Sequence, residues 1–307
     1  MTKVSGNYLF VNENARRVSD ALAREILREL ERVGLPCELV LTSSVEHARK
    51  TSRRLAESGA RLAIVAGGDG SINSVAQGLV GTETALGVIP LGTGNVLARE
   101  LGMPLSWRKA VRWLPTLRPH RVDMAWSSAG CFLLMAGMGL DTCVIRGVRT
   151  RVKRLLGRGA FVLSACRVAR KFSPFQAHIE LDGETIDVRA WLVVVSNTAS
   201  YAGVITLAPG ATYYDGVLDL VVLPESTMPL GSLAWQTVAN VLWGREMCGA
   251  IRRRCRALRV VTDPVVGVQL DGDPRAQTPF EARVLPAALR LLAPGPEIRA
   301  DEGEVGQ

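Results

Sequence analysis

Residues 62–73, LAIVAGGDGSIN, restrict the fold more than any other stretch of the chain. The apolar run 62–66 is short and closes on Gly67, Gly68 and Gly70, as a buried strand ending in a turn does. Behind it Ile72, Val75, Ala76 and Leu79 recur at helical spacing. A glycine turn between strand and helix lets backbone N–H groups approach a ligand, and the helix N-terminus adds a positive dipole end that suits phosphate. Asp69, inside that turn, repels a bare phosphate, so it points to a Mg2+-bound nucleotide. The glycines alone fit a ligand-free βα turn about as well. A second loop of the same kind decides between the two.

The same alternation runs through 1–122. Strand-like segments at 8–11, 37–41, 62–66 and 85–89 alternate with helical patterns at 18–33, 45–58, 71–80 and 96–101. Gly34 and Gly102 stop two of the helices, and Thr42-Ser43-Ser44 can cap the second. A further helix at 106–114 carries Trp107 and Trp113 as packing residues. Such alternation implies a parallel sheet with right-handed crossovers, whose ligands lie beyond the carboxyl ends of the strands. Asn12, Thr42, 67–71 and 92–95 all fall at that edge, and their convergence indicates a nucleotide site. The second loop is PLGTGN, 90–95, which offers backbone N–H groups, the Thr93 hydroxyl and the Asn95 amide to phosphate or ribose oxygens. Neither loop is a Walker A loop, because no GKS or GKT follows.

From about residue 120 the pattern changes. Strand-like segments fall at 120–127, 131–138, 175–181, 185–195, 217–223, 258–262, 265–270 and 280–285, with helical patterns at 142–156, 160–171 and 230–243. Asp182-Gly183 between two such runs signals a hairpin. The expected architecture is a doubly wound α/β nucleotide-binding domain over 1–122, rejoined by 286–307, and a β-rich, sandwich-like domain over 123–285.

A length of 307 residues with 48% hydrophobic content supports two such cores. No run of about 18 apolar residues suggests a membrane span, and the N-terminus lacks a signal-peptide h-region, so a cytoplasmic protein is expected. Six cysteines without a CxxC pair read as reduced, and three scattered histidines do not suggest zinc. The net charge of +8 favours an anionic partner. No acidic residue lies between Thr142 and Ile179, where Arg149, Lys153, Arg154 and Arg158 interleave with Val148, Val152, Leu155 and Leu156. Such a segment is either an ordinary solvated helix face or an amphipathic surface for an anionic membrane, and contact with the inner membrane face is expected. No recognition motif or aromatic platform supports nucleic-acid binding.

GGDGS followed by PLGTGN, then Ala136-Gly137-Met138-Gly139-Leu140-Asp141, Ser196-Asn197, Pro209-Gly210-Ala211, Asp215-Gly216-Val217-Leu218-Asp219 and Leu270-Asp271-Gly272-Asp273, resembles the diacylglycerol kinase/sphingosine kinase catalytic family, especially its compact bacterial lipid kinases. The resemblance implies transfer of a phosphate from ATP, with Mg2+, to a lipid hydroxyl (diacylglycerol-like, phosphatidylglycerol-like or sphingoid), in a cleft between the two domains. It assigns ATP contacts to Asn12, Thr42, Gly67, Gly68, Asp69, Gly70, Ser71, Ile72, Asn73, Gly92, Thr93, Gly94 and Asn95. Asp69 would engage Mg2+-ATP, and Asp271 or Asp273 would accept the hydroxyl proton. Asp215, with the carbonyls of Thr212 and Val217, matches a second Mg2+ site in bacterial members. The chain departs from the pattern at 12–16, which reads Asn-Glu-Asn-Ala-Arg instead of a proline- and glycine-bearing loop. Val96 stands where many members carry Asp, Ser71 replaces Thr, and Asp273 replaces Glu. The shorter Asp273 makes Asp271 the favoured base. Alternatives are a pyridine-nucleotide or sugar-phosphate kinase sharing the GGDG loop, and a non-catalytic nucleotide- or lipid-binding relative. A homodimer is also open.

Overall fold

The computed structural model describes residues 6–14, 19–147, 172–201, 205–227, 229, 231–232, 236, 239–240 and 246–294. The chain divides into two compact units, Met1–Val122 with Ala287–Gln307, and Asp123–Pro286.

The first unit alternates β1 (Asn7–Asn12), α1 (Asp20–Arg32), β2 (Glu38–Thr42), α2 (Val45–Glu57), β3 (Leu62–Gly67), α3 (Asp69–Leu79), β4 (Ala85–Pro90), α4 (Val96–Glu100) and α5 (Trp107–Trp113). The strands lie in the order β4-β3-β1-β2, all parallel. Every residue of β3 and β4 is buried, which is why both read as unbroken apolar runs. Ser19 and Ser44 cap α1 and α2, their hydroxyls accepting from the N–H groups of Leu22 and His47. Register aligns the strand ends, with Asn12 opposite Thr42 and Gly67 opposite Pro90. The carboxyl edge therefore gathers the two glycine loops, as alternation alone requires.

β5 (Arg118–Ser127) carries the chain into the second unit. There follow β6 (Met135–Gly139), α6 (Leu140–Gly147), β7 (Phe175–Leu181), β8 (Glu184–Ser196), the short pair β9 (Ser200–Tyr201) and β10 (Ile205–Thr206), β11 (Leu218–Pro224), β12 (Ile251–Cys255), β13 (Ala257–Asp263), β14 (Gly267–Leu270), β15 (Asp273–Gln277) and β16 (Phe280–Ala293). Within this unit β15-β14-β6-β8-β7-β13-β16 form an antiparallel sheet, with β11 on the second half of β8 and β12 on β11. Phe132, Phe175, Val193, Leu220, Val260 and Phe280 lie in its core. The organisation is the mixed α/β plus β-rich one that the pattern predicted.

Several elements differ from the sequence expectation. The segment 131–134 is not strand but a loop with one bridge, Ala125 to Phe132, because the N–H groups of Leu133 and Leu134 turn to a side-chain carboxylate. The arginine run 252–254 forms β12, and the polar segment 273–277 forms β15. α3 begins at Asp69, two residues earlier than expected. The basic segment with Arg149, Lys153, Arg154 and Arg158 lies outside the described residues, as does much of 230–243. Among the described residues no helix is long and apolar enough to cross a membrane.

α2 packs closely on α3 at Gly78. A Cβ there would lie 1.9 Å from Ser52 Oγ and 2.3 Å from the Arg49 carbonyl oxygen, while Ser52 Oγ donates to the Val75 carbonyl. The backbone oxygen cannot rotate away, so α2 must move. Gly78→Ala is expected to cost about 1–3 kcal/mol of stability, read as a lower urea midpoint with unchanged slope.

Candidate active site

The two glycine loops touch backbone to backbone. A Cβ on Gly92 would lie 2.6 Å from Gly68 Cα, and one on Gly68 would lie 3.1 Å from Gly92 Cα. A Cβ on Gly67 would meet Ser71 Cβ at 2.8 Å. These glycines are thus required by close approach, whatever binds there. Leu91 N–H donates to the Gly67 carbonyl at 2.9 Å, tying the second loop to the end of β3. Asn95 closes that loop on itself. Its Oδ1 accepts from Gly92 N–H at 2.8 Å and its Nδ2 donates to the Gly92 carbonyl at 3.1 Å. Asn95 takes the left-handed conformation, φ 48°, which Asn tolerates.

α3 starts at Gly68 with no capping side chain. Among the described residues no side chain caps its first N–H groups, at Asp69 and Gly70, and uncapped donors of this kind are what an anion site uses. Asp69 Oδ1 accepts from Leu97 N–H at 3.1 Å, so one carboxylate bridges the first turns of α3 and α4. No partner for Asp69 Oδ2 occurs among the described residues, and this oxygen can take a cation. A hard divalent ion bridging a carboxylate and phosphate fits that donor. Thr93 and Gly94 are exposed beside it.

The remaining first-unit candidates divide. The Thr42 hydroxyl is buried and donates to the Val11 carbonyl at 3.3 Å. Asn12 Oδ1 accepts from Asn14 N–H, shaping the loop after β1. Ile72 is core, its N–H given to the Gly68 carbonyl, and Asn73 is buried. Those two support the loop from behind.

In the second unit, Asp271 and Gly272 form the two-residue turn between β14 and β15, with φ 48° and 88°. The Asp271 carboxylate accepts from three backbone N–H groups, Leu133 at 3.0 Å and Leu134 and Met135 at 2.9 Å. Asp182-Gly183, the turn between β7 and β8, does the same at a place with no candidate chemistry. Asp182 accepts from the N–H groups of Arg256 and Ala257. A carboxylate used in this way anchors a hairpin. Asp273 is exposed and pairs with Arg275 at 3.1 Å.

The 212–217 loop is closed by protein groups. Asp123, which the sequence reading passed over, accepts from Gly216 N–H through Oδ2 at 2.7 Å and donates its own N–H to the Tyr213 carbonyl. Asp215 Oδ2 binds the Arg254 guanidinium, and Oδ1 accepts from Val217 N–H at 3.3 Å. A Mg2+ held by Asp215 with the Thr212 and Val217 carbonyls would have to share the Asp215 carboxylate with Arg254 or displace it. Arg254 also reaches Asp219 at 3.9 Å. Burial pushes the Asp219 carboxyl up to about 6, opposed by Arg254 and assisted by the charge on Asp215. Asn197, also unassigned from sequence, is buried and donates to the Asp123 and Leu133 carbonyls.

An α/β unit with two glycine loops at one sheet edge, followed by a β-rich unit, is the layout of a diacylglycerol kinase-type chain. The family model for the diacylglycerol kinase catalytic domain matches residues 7–126, and the model for the YegS C-terminal NAD kinase beta sandwich-like domain matches 135–293. A Pseudomonas putida protein described as a "probable lipid kinase YegS-like" is 30% identical over 75% of this chain and 76% of its own. The diacylglycerol kinase of Mycobacterium tuberculosis is 27% identical over 89% of each chain. The chain spans only 54% of a longer, 30% identical Synechocystis protein of undescribed function. A crystal structure of a diacylglycerol kinase from Bacillus anthracis superposes with TM-score 0.76 at 22% identity, covering 95% of this chain and 98% of that one, a likeness of fold. The chain belongs to the family of diacylglycerol kinases and YegS-like lipid kinases.

Removing Arg254 tests the closure of the 212–217 loop. Asp219 is raised in the folded state, so its contribution to stability is full below the unfolded value near 4 and fades as pH rises through about 6. Without Arg254 that loss deepens. Arg254→Ala is expected to cost about 1 kcal/mol near pH 7.5, since the guanidinium is largely exposed, and less near pH 5, by thermal melts at both pH values.

Proposed function

We propose that the protein transfers the γ-phosphate of ATP to the hydroxyl of a membrane lipid. The observation that carries this reading is the Gly68–Gly92 contact, which sets the uncapped start of α3 beside the exposed Thr93-Gly94 segment. N–H groups of Asp69 and Gly70 would bind phosphate oxygens, and the Thr93 hydroxyl would add a donor. Mg2+ accompanying the nucleotide would neutralise charge on the phosphates and be held through Asp69 Oδ2.

Phosphoryl transfer asks little covalent work of the protein; it needs positioned phosphates and an oriented acceptor. Asp273 is the carboxylate better suited to take the acceptor proton, because the oxygens of Asp271 are committed to three backbone N–H groups. Arg275, paired with Asp273, would restrain its rotamer. The basic segment with Arg149, Lys153, Arg154 and Arg158 would hold the protein at the anionic inner face of the membrane. A second reading, phosphorylation of a pyridine nucleotide, draws on the NAD kinase-like description of the C-terminal model.

Radiolabelled ATP and a panel of acceptors test the proposal, with diacylglycerol, phosphatidylglycerol, a sphingoid base and NAD presented with anionic or neutral vesicles. Label in a lipid, faster on anionic vesicles and slowed by salt, is the expected result; label only in NAD overturns it. Asp69→Ala should abolish transfer and leave a cooperative melt. Asp273→Asn should lower turnover about 10²-fold or more with KM for ATP unchanged. Asp271→Asn should lower the melting temperature as well as turnover.

A further inference from the structure

Asp141 is a buried carboxyl to which phosphoryl transfer assigns no task. It lies at the start of α6, 3% exposed. Its Oδ1 accepts from Thr142 N–H at 2.6 Å, its Oδ2 from Gln269 Nε2 at 3.1 Å, and the Tyr201 side chain also hydrogen-bonds to it. Gly137 makes the room. A Cβ there would lie 1.7 Å from Asp141 Oδ2 and 2.8 Å from Gln269 Nε2. The other end of Gln269 matters most: its Oε1 accepts from Gly272 N–H at 2.6 Å. Gly272 N–H can only donate, so the amide oxygen must face it and the amide nitrogen must face Asp141. One side chain, 1% exposed, thus joins a buried carboxyl to the middle of the Asp271-Gly272-Asp273 turn.

We propose that Gln269 is a positioning residue that transmits the charge state of Asp141 to the Asp271-Gly272-Asp273 turn; the proposal rests on reading that turn as the acceptor-side carboxylate site. With Asp141 ionised, the bond from Gln269 is charge-assisted and roughly twice as strong as its neutral form, so the amide is held and Gly272 with it. With Asp141 protonated, the same bond weakens and the turn gains freedom. Gln269 acts through the turn and touches no reacting atom.

The switch falls near neutrality. Burial pushes the Asp141 carboxyl up to about 7, against the lowering effect of its bonds from Gln269, Thr142 and Tyr201. α6 packs on β6, β8 and β14. The segments 135–139, 190–196 and 267–270 of those strands hold no ionisable side chain. Among the described residues Tyr201, from β9, is the titratable group bonded to Asp141, and burial with the Asp141 charge pushes its hydroxyl well above its usual range. It therefore remains a protonated donor across the neutral region.

The test follows the Gly272 amide by ¹H–¹⁵N TROSY between about pH 5.5 and pH 8.5, without substrate. In the wild type its proton should move downfield as Asp141 ionises, with a midpoint near 7. Asp141→Asn and Gln269→Met should each remove that midpoint; should Gln269→Met not fold, Asp141→Asn decides alone. A flat Gly272 in the wild type overturns the proposal, as does the same midpoint persisting in Asp141→Asn. The lipid-kinase assay adds a second reading, in which kcat should rise through the same midpoint with KM for ATP constant. Because the amide needs no acceptor, a titrating Gly272 with a silent kinase assay supports the relay and fails only the substrate assignment.

Discussion

The contact between Gly68 and Gly92 is the constraint on which the first unit's chemistry depends. Parallel pairing of β3 with β4 brings Gly67 opposite Pro90, and both chains must then turn within the same small volume. No side chain fits there; a Cβ on Gly92 would lie 2.6 Å from its neighbour's Cα. Once the loops are that close, other features follow. Asp69 reaches the first turn of α4, Asn95 folds the second loop against Gly92, and α3 starts without a cap of its own. A nucleotide bound there, as proposed, would be held mainly by backbone and would need few specific side chains, which would leave room for the altered loop after β1 and the valine at 96.

The second unit uses carboxylates mainly as fasteners. Asp182 and Asp271 sit at the first positions of two left-handed turns and bind backbone N–H groups of a neighbouring segment. Asp123 fastens the 212–217 loop, and Arg254 pairs with Asp215 beside it. The Asp271 and Asp123 carboxylates satisfy half-buried N–H groups that would cost about 1–3 kcal/mol each if left unpaired. An Asp-Gly pair is therefore weak evidence for catalysis, and the carboxylate left on the outer side of the turn, Asp273, is the stronger candidate.

Local pattern made most of the first unit legible. Buried parallel strands are continuous apolar runs, helices carry a 3.6-residue period, and serines stand where caps are needed, so β1 to α5 could be placed to within a few residues. In the second unit the sequence failed where polarity hides a strand. IRRRC at 251–255 and DPRAQ at 273–277 lack the alternation of a half-buried strand, because each lies at a sheet edge with most of its polar side chains exposed, although Cys255, Ile251 and Ala276 still pack on the core. The loop at 131–134 looked like strand because its residues are apolar, and only a carboxylate more than 130 residues away explains its backbone. Similar distance concealed the roles of Asp123 and Asn197 and the bond from Gln269 to Asp141, whose partners share no sequence neighbourhood. The glycine loops drew attention as ligand sites, and the reason for three of their glycines proved to be steric.

A crystal structure of the chain with Mg2+ and a non-hydrolysable ATP analogue tests the central claim most directly. Phosphate oxygens are expected within hydrogen-bond distance of the Asp69 and Gly70 N–H groups, with Gly68 and Gly92 still in contact. An analogue bound with its phosphates elsewhere, for instance on the arginines of 252–259, would contradict it, as would loops that must separate to admit the nucleotide.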